Sequence, residues 1–484
     1  MASLEEIKKD RLKKLEILQA AGYRPYANNC RLTETWQSFL TNFKKRLDGN
    51  EEVVLVGRIM AKRGQGGLLF VDIDDGSAKG QVILKKDNLT DKQFDLFEQA
   101  IDIGDVIEVT GYAFLTKTGQ SSLEAKAWNI LVKSLQPLPN KWSGLKDEET
   151  RLRKRYLDIL TNPELKDLFI KKSLFWKTIR LFLEEKGFMA VETPTLELTT
   201  GGAEARPFKT YHNDFDIDLY LRISVGELWQ KRLIAAGYPR TYEIGKVYRN
   251  EGSSPDHLQE FTNMEFYAAY LNFTVGQEMI KELYRTIAQT VFGRTSFETR
   301  GYKFDLADDW EELDYVSTIL SMTGINVLEV TENDLRAKLK ELQVEYEGDN
   351  RERMTDSLWK YCRKQISGPA FLVNHPKIVA PLSSLSEDDS RLTKTFQVIL
   401  AGSELGRAHA ELNDPQEQAR RFEEQAKLLQ AGDEEAMMPD WDYVQMLEHG
   451  MPPTFGFGVG ERLFAFLADK TLREATLFPL VRPE

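Results

Sequence analysis

Hydrophobic periodicity divides this chain into recognisable stretches. In NPELKDLFIKKSLFWKTIRLFLEEKGF apolar residues return every three to four positions, which predicts a long amphipathic helix closed by Gly187. GELWQKRLIAAG, TVGQEMIKELYRTIAQTVF and ELNDPQEQARRFEEQAKLLQAG read the same way, the last with Asn413, Asp414 and Pro415 at its start. The pattern changes to period two in FDIDLYLRIS, RTYEIGKVYRN and EFTNMEFYAAY, which predicts strands. In the last of these, Phe261, Asn263, Glu265 and Tyr267 share one face, and Arg249 and Glu251 share one just before the preceding polar loop. An aromatic ring, an amide, a carboxylate and a phenol on one face make poor core. They suit the floor of a pocket for a charged, ring-bearing ligand.

The order of these elements predicts four segments. MASLEEIKKDRLKKLEILQAAGY opens an N-terminal helical extension, 1–50. Between 51 and 136, VVLVGRIMAKR, LLFVDIDDGSAKGQVILKK, GDVIEVTGYAFLT and SSLEAKAWNILVKS are short strand-like runs broken by Gly and Asp-Gly, with a helical DKQFDLFEQAI after the third strand. About five strands in roughly 80 residues match a small barrel of the OB type, and equally any other small barrel or sandwich. PLPNKWSGLKDEETR reads as a linker, 137–155. In 156–484 strands and helices mix without regular βαβ alternation, which favours an antiparallel α+β domain; residues 310–370 are largely helical and charged.

Length and composition agree with several domains: 484 residues, 42% hydrophobic and 29% charged. No apolar run approaches the roughly 20 residues that span a bilayer, so no membrane partner is expected. Cys30 and Cys362 have no metal-ligand spacing and fit a reducing, cytoplasmic location. A net charge of −12 argues against non-specific coating of nucleic acid. Local basic clusters remain, with Arg58, Lys62, Arg63, Lys79, Lys85 and Lys86 in the barrel and RLRKRY at 151–156; their plain reading is a solvated surface.

GFGVGERLFAFL, at 456–467, resembles a glycine-rich phosphate loop but follows neither GxxxxGK[ST] nor GxGxxG after a Rossmann strand. With GFMAVETPTL (187–196) and RNEG…HLQEFTNMEFY (249–267) it repeats the order and spacing of the three motifs of class II aminoacyl-tRNA synthetases. TTGGAEARPF, GSELGRAHAELNDPQEQ and HGMPPTFGFGVGERL resemble signatures of the bacterial-type lysyl branch, and the resemblance covers nearly the whole chain.

That resemblance implies a six-to-seven-stranded antiparallel sheet with flanking helices, an OB-fold anticodon-binding barrel, and a homodimer with Pro194 at its interface. It implies ATP-dependent ligation of L-lysine to tRNA(Lys) through a lysyl-adenylate, with ATP and Mg²⁺ required. Arg249 would hold the α-phosphate and the lysine carboxylate. Glu251 and His257 would contact the nucleotide, Phe261 would stack on adenine, and Arg462 would clasp the terminal phosphates. Glu404 would meet ATP and metal together with Gln397, where the family carries an acid; Glu411 is a further expected metal contact. The lysine pocket would comprise Gly202, Glu227, Glu265, Tyr267, Arg407 and Glu411. In the barrel, Phe70 and Gln81 would read the central anticodon base by stacking and edge hydrogen bonds, with Arg58 beside them. The residue types suit the reaction: a carboxylate attacks phosphorus without a general base, so catalysis rests on positioning and charge neutralisation.

This chain departs from the pattern in two further places. RISVGELW carries one residue more before Glu227, a length difference that can displace that side chain. Arg407 and His409 stand where the family has an Asn and an aromatic. Because a cation beside lysine's ε-ammonium is unfavourable, Arg407 is expected at the carboxylate end. Two other functions stay open on sequence: a paralogue that lysylates a protein, and a non-catalytic RNA-binding relative.

Overall fold

The computed structural model describes residues 3–483 apart from 140–144, 146, 204, 253, 347, 349 and 433–435. The chain forms two compact units, Met1–Leu145 and Lys146–Glu484. Among the described residues no helix is long and apolar enough to cross a membrane.

In the first unit, strands β1 (Val53–Gln65), β2 (Leu68–Asp74), β3 (Lys79–Lys85), β4 (Val106–Leu115) and β5 (Ser121–Val132) close a barrel in the order β1-β2-β3-β5-β4. Leu69, Val71 and Ile73 alternate inward with Val82, Leu84, Val109 and Ile130 to fill it. Helix Leu4–Ala20 starts with a capping box, in which Ser3 and Glu6 satisfy each other's backbone donors. Helix Asp91–Ala100 follows β3 as its sequence predicts. The basic residues here are largely engaged by neighbours: Lys85 pairs with Glu124 at 2.6 Å, Lys86 with Asp95 at 3.3 Å and Arg63 with Asp72 at 3.1 Å.

The expected linker, 137–155, lies partly outside the described residues; its later part forms the helix Glu148–Arg153. RLRKRY is not a free basic patch. Arg155 is 1% exposed and donates to the carbonyls of Arg473, Glu474, Thr476 and Leu477, tying the C-terminal segment down.

The second unit is built on an eight-stranded sheet. Its strands in chain order are β6 (Met189–Ala190), β7 (Arg240–Tyr248), β8 (Glu260–Ala269), β9 (Glu311–Asp314), β10 (Ala370–Pro376), β11 (Leu392–Leu400), β12 (Ser403–Ala410) and β13 (Thr454–Gly460). They lie side by side in the order β9-β10-β11-β12-β13-β8-β7-β6. Pairing is antiparallel except at the two edges, where β6 joins β7 and β9 joins β10 in parallel. The count exceeds the expected six to seven because these short edge strands, two and four residues long, add to a six-stranded antiparallel centre.

One face of the sheet is core. Met264, Phe266 and Ala268 of β8 and Phe455, Phe457 and Val459 of β13 pack with Phe175, Ile179, Leu183, Ile280 and Leu283 of helices Pro163–Glu185 and Phe273–Ile287. Each fully buried Phe or Leu contributes roughly 1.5–3 kcal/mol. On β8 and β13 the opposite face carries Phe261, Asn263, Glu265, Tyr267 and three glycines, while on β10 and β11 it carries the apolar Leu372 and Ile399.

Candidate active site

β13 is the centre of that open face. Because Phe455, Phe457 and Val459 face the core, Gly456, Gly458 and Gly460 face the other way. The GFGVG run is thus a central strand and not a phosphate loop. Its glycines leave a trough. A Cβ on Gly456 would stand 2.1 Å from Glu411 Oε1, and one on Gly458 3.2 Å from Glu265 Cγ.

Cross-strand register arranges the trough walls in rows. Glu265 of β8 and Arg407 of β12 both lie opposite Gly458, and Arg407 in turn opposes Gln397 of β11. In the next row Tyr267 and His409 flank Gly456, and His409 opposes Thr395. Asn263 lies opposite Gly460. With strands about 4.8 Å apart, Glu265 and Arg407 face each other across roughly 10 Å of glycine floor. A cavity of about 1950 Å³ fills this space. That exceeds the roughly 300–1,000 Å³ of a pocket for one small molecule, leaving room for a nucleotide and an amino acid together.

One end of the cavity is acidic. Glu227, Glu265 and Glu411 are each under 7% exposed. Glu265 accepts from Val225 N at 2.9 Å, Asn263 Nδ2 at 3.0 Å and the Tyr267 hydroxyl at 3.1 Å. Glu227 opens the helix Glu227–Ala235, and Gly226 before it takes a left-handed φ of 65°. Glu227 lines the cavity. Gly202 makes this possible: its φ is 88°, and a Cβ there would meet Glu227 Cβ and Oε2 at 2.7 Å.

Sequence reasoning missed Lys231. It is fully buried, with Nζ 2.8 Å from Glu227 and 2.5 Å from Glu411, and 5.6 Å from the Tyr267 ring centre. The signal was available, since Glu227 and Lys231 stand at i and i+4 on one helix. Burial works against the Lys231 ammonium, but Glu227 and Glu411 outweigh it and hold the charge. Burial and the neighbouring Glu227 push the Glu265 carboxyl up to about 7. Burial also pushes Glu411 up, to about 8, against the pull of Lys231. Three carboxyl groups and one permanent ammonium leave two negative charges when all are ionised, which matches an amino acid bearing two ammonium groups.

The other end is cationic and aromatic. The Arg249 guanidinium is 5.3 Å from the Phe261 ring centre, and its Nε donates to Ile223 O at 3.3 Å. Arg462, first residue of the short helix Arg462–Leu467, donates to the backbone carbonyl of Glu404. Glu251 and His257 line the cavity beside them, and His257 Nδ1 is 2.7 Å from Ser254 Oγ. Burial lowers the pKa of both arginines.

The three expected metal donors do not form one donor set. Glu411 lies seven residues beyond Glu404, roughly 23 Å along an extended chain, and is engaged by Lys231. Glu404 Oε1 accepts from Trp359 Nε1 and pairs with Arg363, both at 2.8 Å. Glu404 Oε2 accepts from Gln397 Nε2 at 3.0 Å. Gln397 Oε1, which can only accept, is 3.0 Å from His375 Nε2, so Nε2 carries the hydrogen; burial and the Arg407 charge push His375 down to about 4. Each side-chain oxygen of Gln397 and Glu404 has at least one hydrogen-bond or ion-pair partner. Among the described residues no cluster of three His, Cys, Asp or Glu is placed to hold a metal. Gln397 and Glu404 offer a single carboxylate, engaged by Arg363, where two acids would hold a divalent cation.

The sequence matches two families. Residues 53–137 match the OB-fold nucleic acid binding domain, and residues 147–482 match tRNA synthetases class II (D, K and N). The chain belongs to the class II tRNA synthetases of this D, K and N group. Curated relatives of this synthetase share its full length. A lysine-tRNA ligase of Roseiflexus sp. (strain RS-1) is 40% identical over 99% of both chains. One of Thermotoga maritima is 38% identical over 99% of this chain and 97% of the relative, and one of Halalkalibacterium halodurans 40% identical over 98% and 96%.

In the barrel of this synthetase, strand alternation turns Arg58, Phe70 and Gln81 away from the interior; Arg58 and Phe70 are half-buried and Gln81 is buried. Leu69, Val71 and Ile73 point inward, Arg58 opposes Asp74, and Gln81 opposes Asp72 two residues from Phe70. Arg58 Nη1 donates to Gly104 O at 2.7 Å, and Gln81 accepts from Ser122 Oγ at 3.0 Å.

Proposed function

We propose that this synthetase joins L-lysine to tRNA(Lys) in two steps, through lysyl-adenylate. The observation that carries the substrate is the wall of Glu227, Glu265 and Glu411, backed by Lys231, at the far end of a trough whose other end holds Arg249, Phe261 and Arg462. The full-length likeness to lysine-tRNA ligases supports the same reading.

In this reading the adenine stacks on Phe261, with Glu251 and His257 at its edge, and Arg462 meets the terminal phosphates. Arg249 bridges the α-phosphate and the lysine carboxylate. Glu265 receives the α-ammonium, and Glu227, Glu411 and Tyr267 receive the ε-ammonium, with the backbone at Gly202 closing that end. The lysine carboxylate, already ionised, attacks phosphorus in line, and the guanidinium groups neutralise the charge that builds on the phosphate oxygens. Phe70, Gln81 and Arg58 take the anticodon.

The reading also includes a homodimer. Met189, Leu196 and Leu198 around Pro194 are exposed, apolar side chains that support pairing with a second copy. Two free cysteines accord with the reducing cytoplasm. Lysine-dependent ATP–pyrophosphate exchange, run against several amino acids, tests the first step, and charging of tRNA against charging of protein tests the second. Exchange driven equally by a neutral amino acid overturns the substrate assignment.

A further inference from the structure

The phosphate end is rich in guanidinium groups: Arg249, Arg407 and Arg462 line the cavity, and Arg363 pairs with Glu404. The acids Glu251, Asp256 and Glu404 stand among them; Glu404 Oε1 pairs with Arg363 at 2.8 Å, and the Glu404 backbone carbonyl accepts from Arg462. Arg407, on β12, donates Nη2 to Val379 O at 2.5 Å, just beyond the end of β10. Its Nε is buried and has no hydrogen-bond partner among the described residues. A guanidinium nitrogen without a partner is costly unless a ligand completes it. The ligand this cluster fits is a polyphosphate, which presents several anionic oxygens to forked donors.

We propose that Arg407, with Arg363 and Arg462 braced on the Gln397–Glu404 bridge, neutralises the nucleotide's phosphates at the position where two acidic side chains would otherwise ligate a divalent cation. The bridge has a direction. His375 donates to Gln397 Oε1, and Gln397 Nε2 donates to Glu404 Oε2. An amide accepts from one and donates to the other, which an ionised carboxylate cannot do; a carboxylate at 397 would set two anions side by side and call for a cation between them. Arg407, directly cross-strand from Gln397, supplies positive charge within the protein instead. Any Mg²⁺ then arrives on the nucleotide, held by phosphate oxygens and water.

This inference rests on the proposed nucleotide site, but its test needs neither lysine nor tRNA, so its failure leaves the amino-acid assignment standing. Mn²⁺ binding to the full chain is counted by electron paramagnetic resonance with α,β-methylene-ATP present. The Gln397→Glu/Arg407→Gln variant is expected to bind one more Mn²⁺ per chain than the wild type. Equal counts at equal affinity overturn the proposal. A second measurement stands if the double variant does not fold: binding of the same analogue in EDTA. Arg407→Ala is expected to weaken that metal-free binding at least tenfold, and an unchanged affinity overturns the proposal as well.

Discussion

A methyl scan of the glycine floor tests the site most directly. Gly456, Gly458 and Gly460 adopt backbone that alanine tolerates, so each substitution acts through space alone. The space differs at each. A Cβ at 456 would meet Glu411 Oε1 at 2.1 Å and the Tyr267 ring at 2.6 and 2.8 Å. Neither neighbour can yield easily: Glu411 is pinned by Lys231, and Tyr267 is 3% exposed, packed in one cluster with Leu228, Ile234 and Leu382. Overpacking of this kind costs about 1–3 kcal/mol. If the strain falls on the lysine-binding geometry, KM for lysine rises about 5- to 150-fold. At 458 the Cβ meets Glu265 Cγ at 3.2 Å, a contact that a few tenths of an ångström relieve, so the rise stays within roughly fivefold. At 460 the contacts are 3.4 Å to Asn263 Oδ1 and 3.8 Å to Phe261, on the nucleotide side, and KM for lysine stays unchanged. The assay is lysine-dependent pyrophosphate exchange with lysine and ATP varied separately, alongside thermal unfolding of each variant. A folded Gly456→Ala enzyme whose lysine KM lies within twofold of wild type refutes this account of the floor.

Three other perturbations follow from the same contacts. Lys231→Met leaves Glu227 and Glu411 buried without their counter-charge, a loss of about 3–5 kcal/mol; protonation relieves it, so the fall in Tm is larger at pH 8 than at pH 6, and equal falls count against the pairing. Glu265 and Glu411, raised from 4.5 to about 7 and about 8, make the empty chain bind more protons than the unfolded chain between pH 4.5 and about 8. Stability at these groups therefore declines as pH rises through that window, and the Tm increase produced by lysine grows from pH 6 to pH 8.5; a constant increase contradicts it. Phe70→Ala weakens tRNA charging by about 1–3 kcal/mol of lost stacking while leaving pyrophosphate exchange intact, so a parallel loss in both assays removes the barrel face from recognition.

Legibility in the sequence followed distance along the chain. Phe261, Asn263, Glu265 and Tyr267 are two residues apart, so strand periodicity alone places them on one face, and the structure has them there. The role of GFGVG was harder to read, because glycine is compatible with loop and strand alike. Its strand character comes from pairing with β8 and β12, partners nearly 200 and 50 residues earlier. Trp359 and Arg363 were invisible as neighbours of Glu404 for a similar reason: a turn of helix in a charged segment carries no mark of the strand edge it packs on. Lys231 was within reach of helix spacing, yet an isolated Glu–Lys pair four apart is ordinarily a solvated surface pair. Only burial distinguishes it.

The layout of charge along the strands explains why one sheet can serve two ligands of opposite sign. Successive residues on one face of a strand advance about 6.6–6.8 Å. From Phe261 to Tyr267 β8 therefore carries ring, amide, carboxylate and phenol over roughly 20 Å, while Arg407, His409 and Glu411 run from cation to acid on the far wall. Both walls change character in the same direction, and Glu265 and Arg407 share a row because both are registered to Gly458. A ligand lying in the trough meets guanidinium groups and an aromatic ring toward one end and carboxylates toward the other. Turning an amino acid end for end would put its ammonium against Arg407 and its carboxylate against Glu411. The register of β8, β12 and β13 thus selects orientation before any single contact selects identity, and a one-residue slip of β13 would replace the glycine floor with Phe455, Phe457 and Val459.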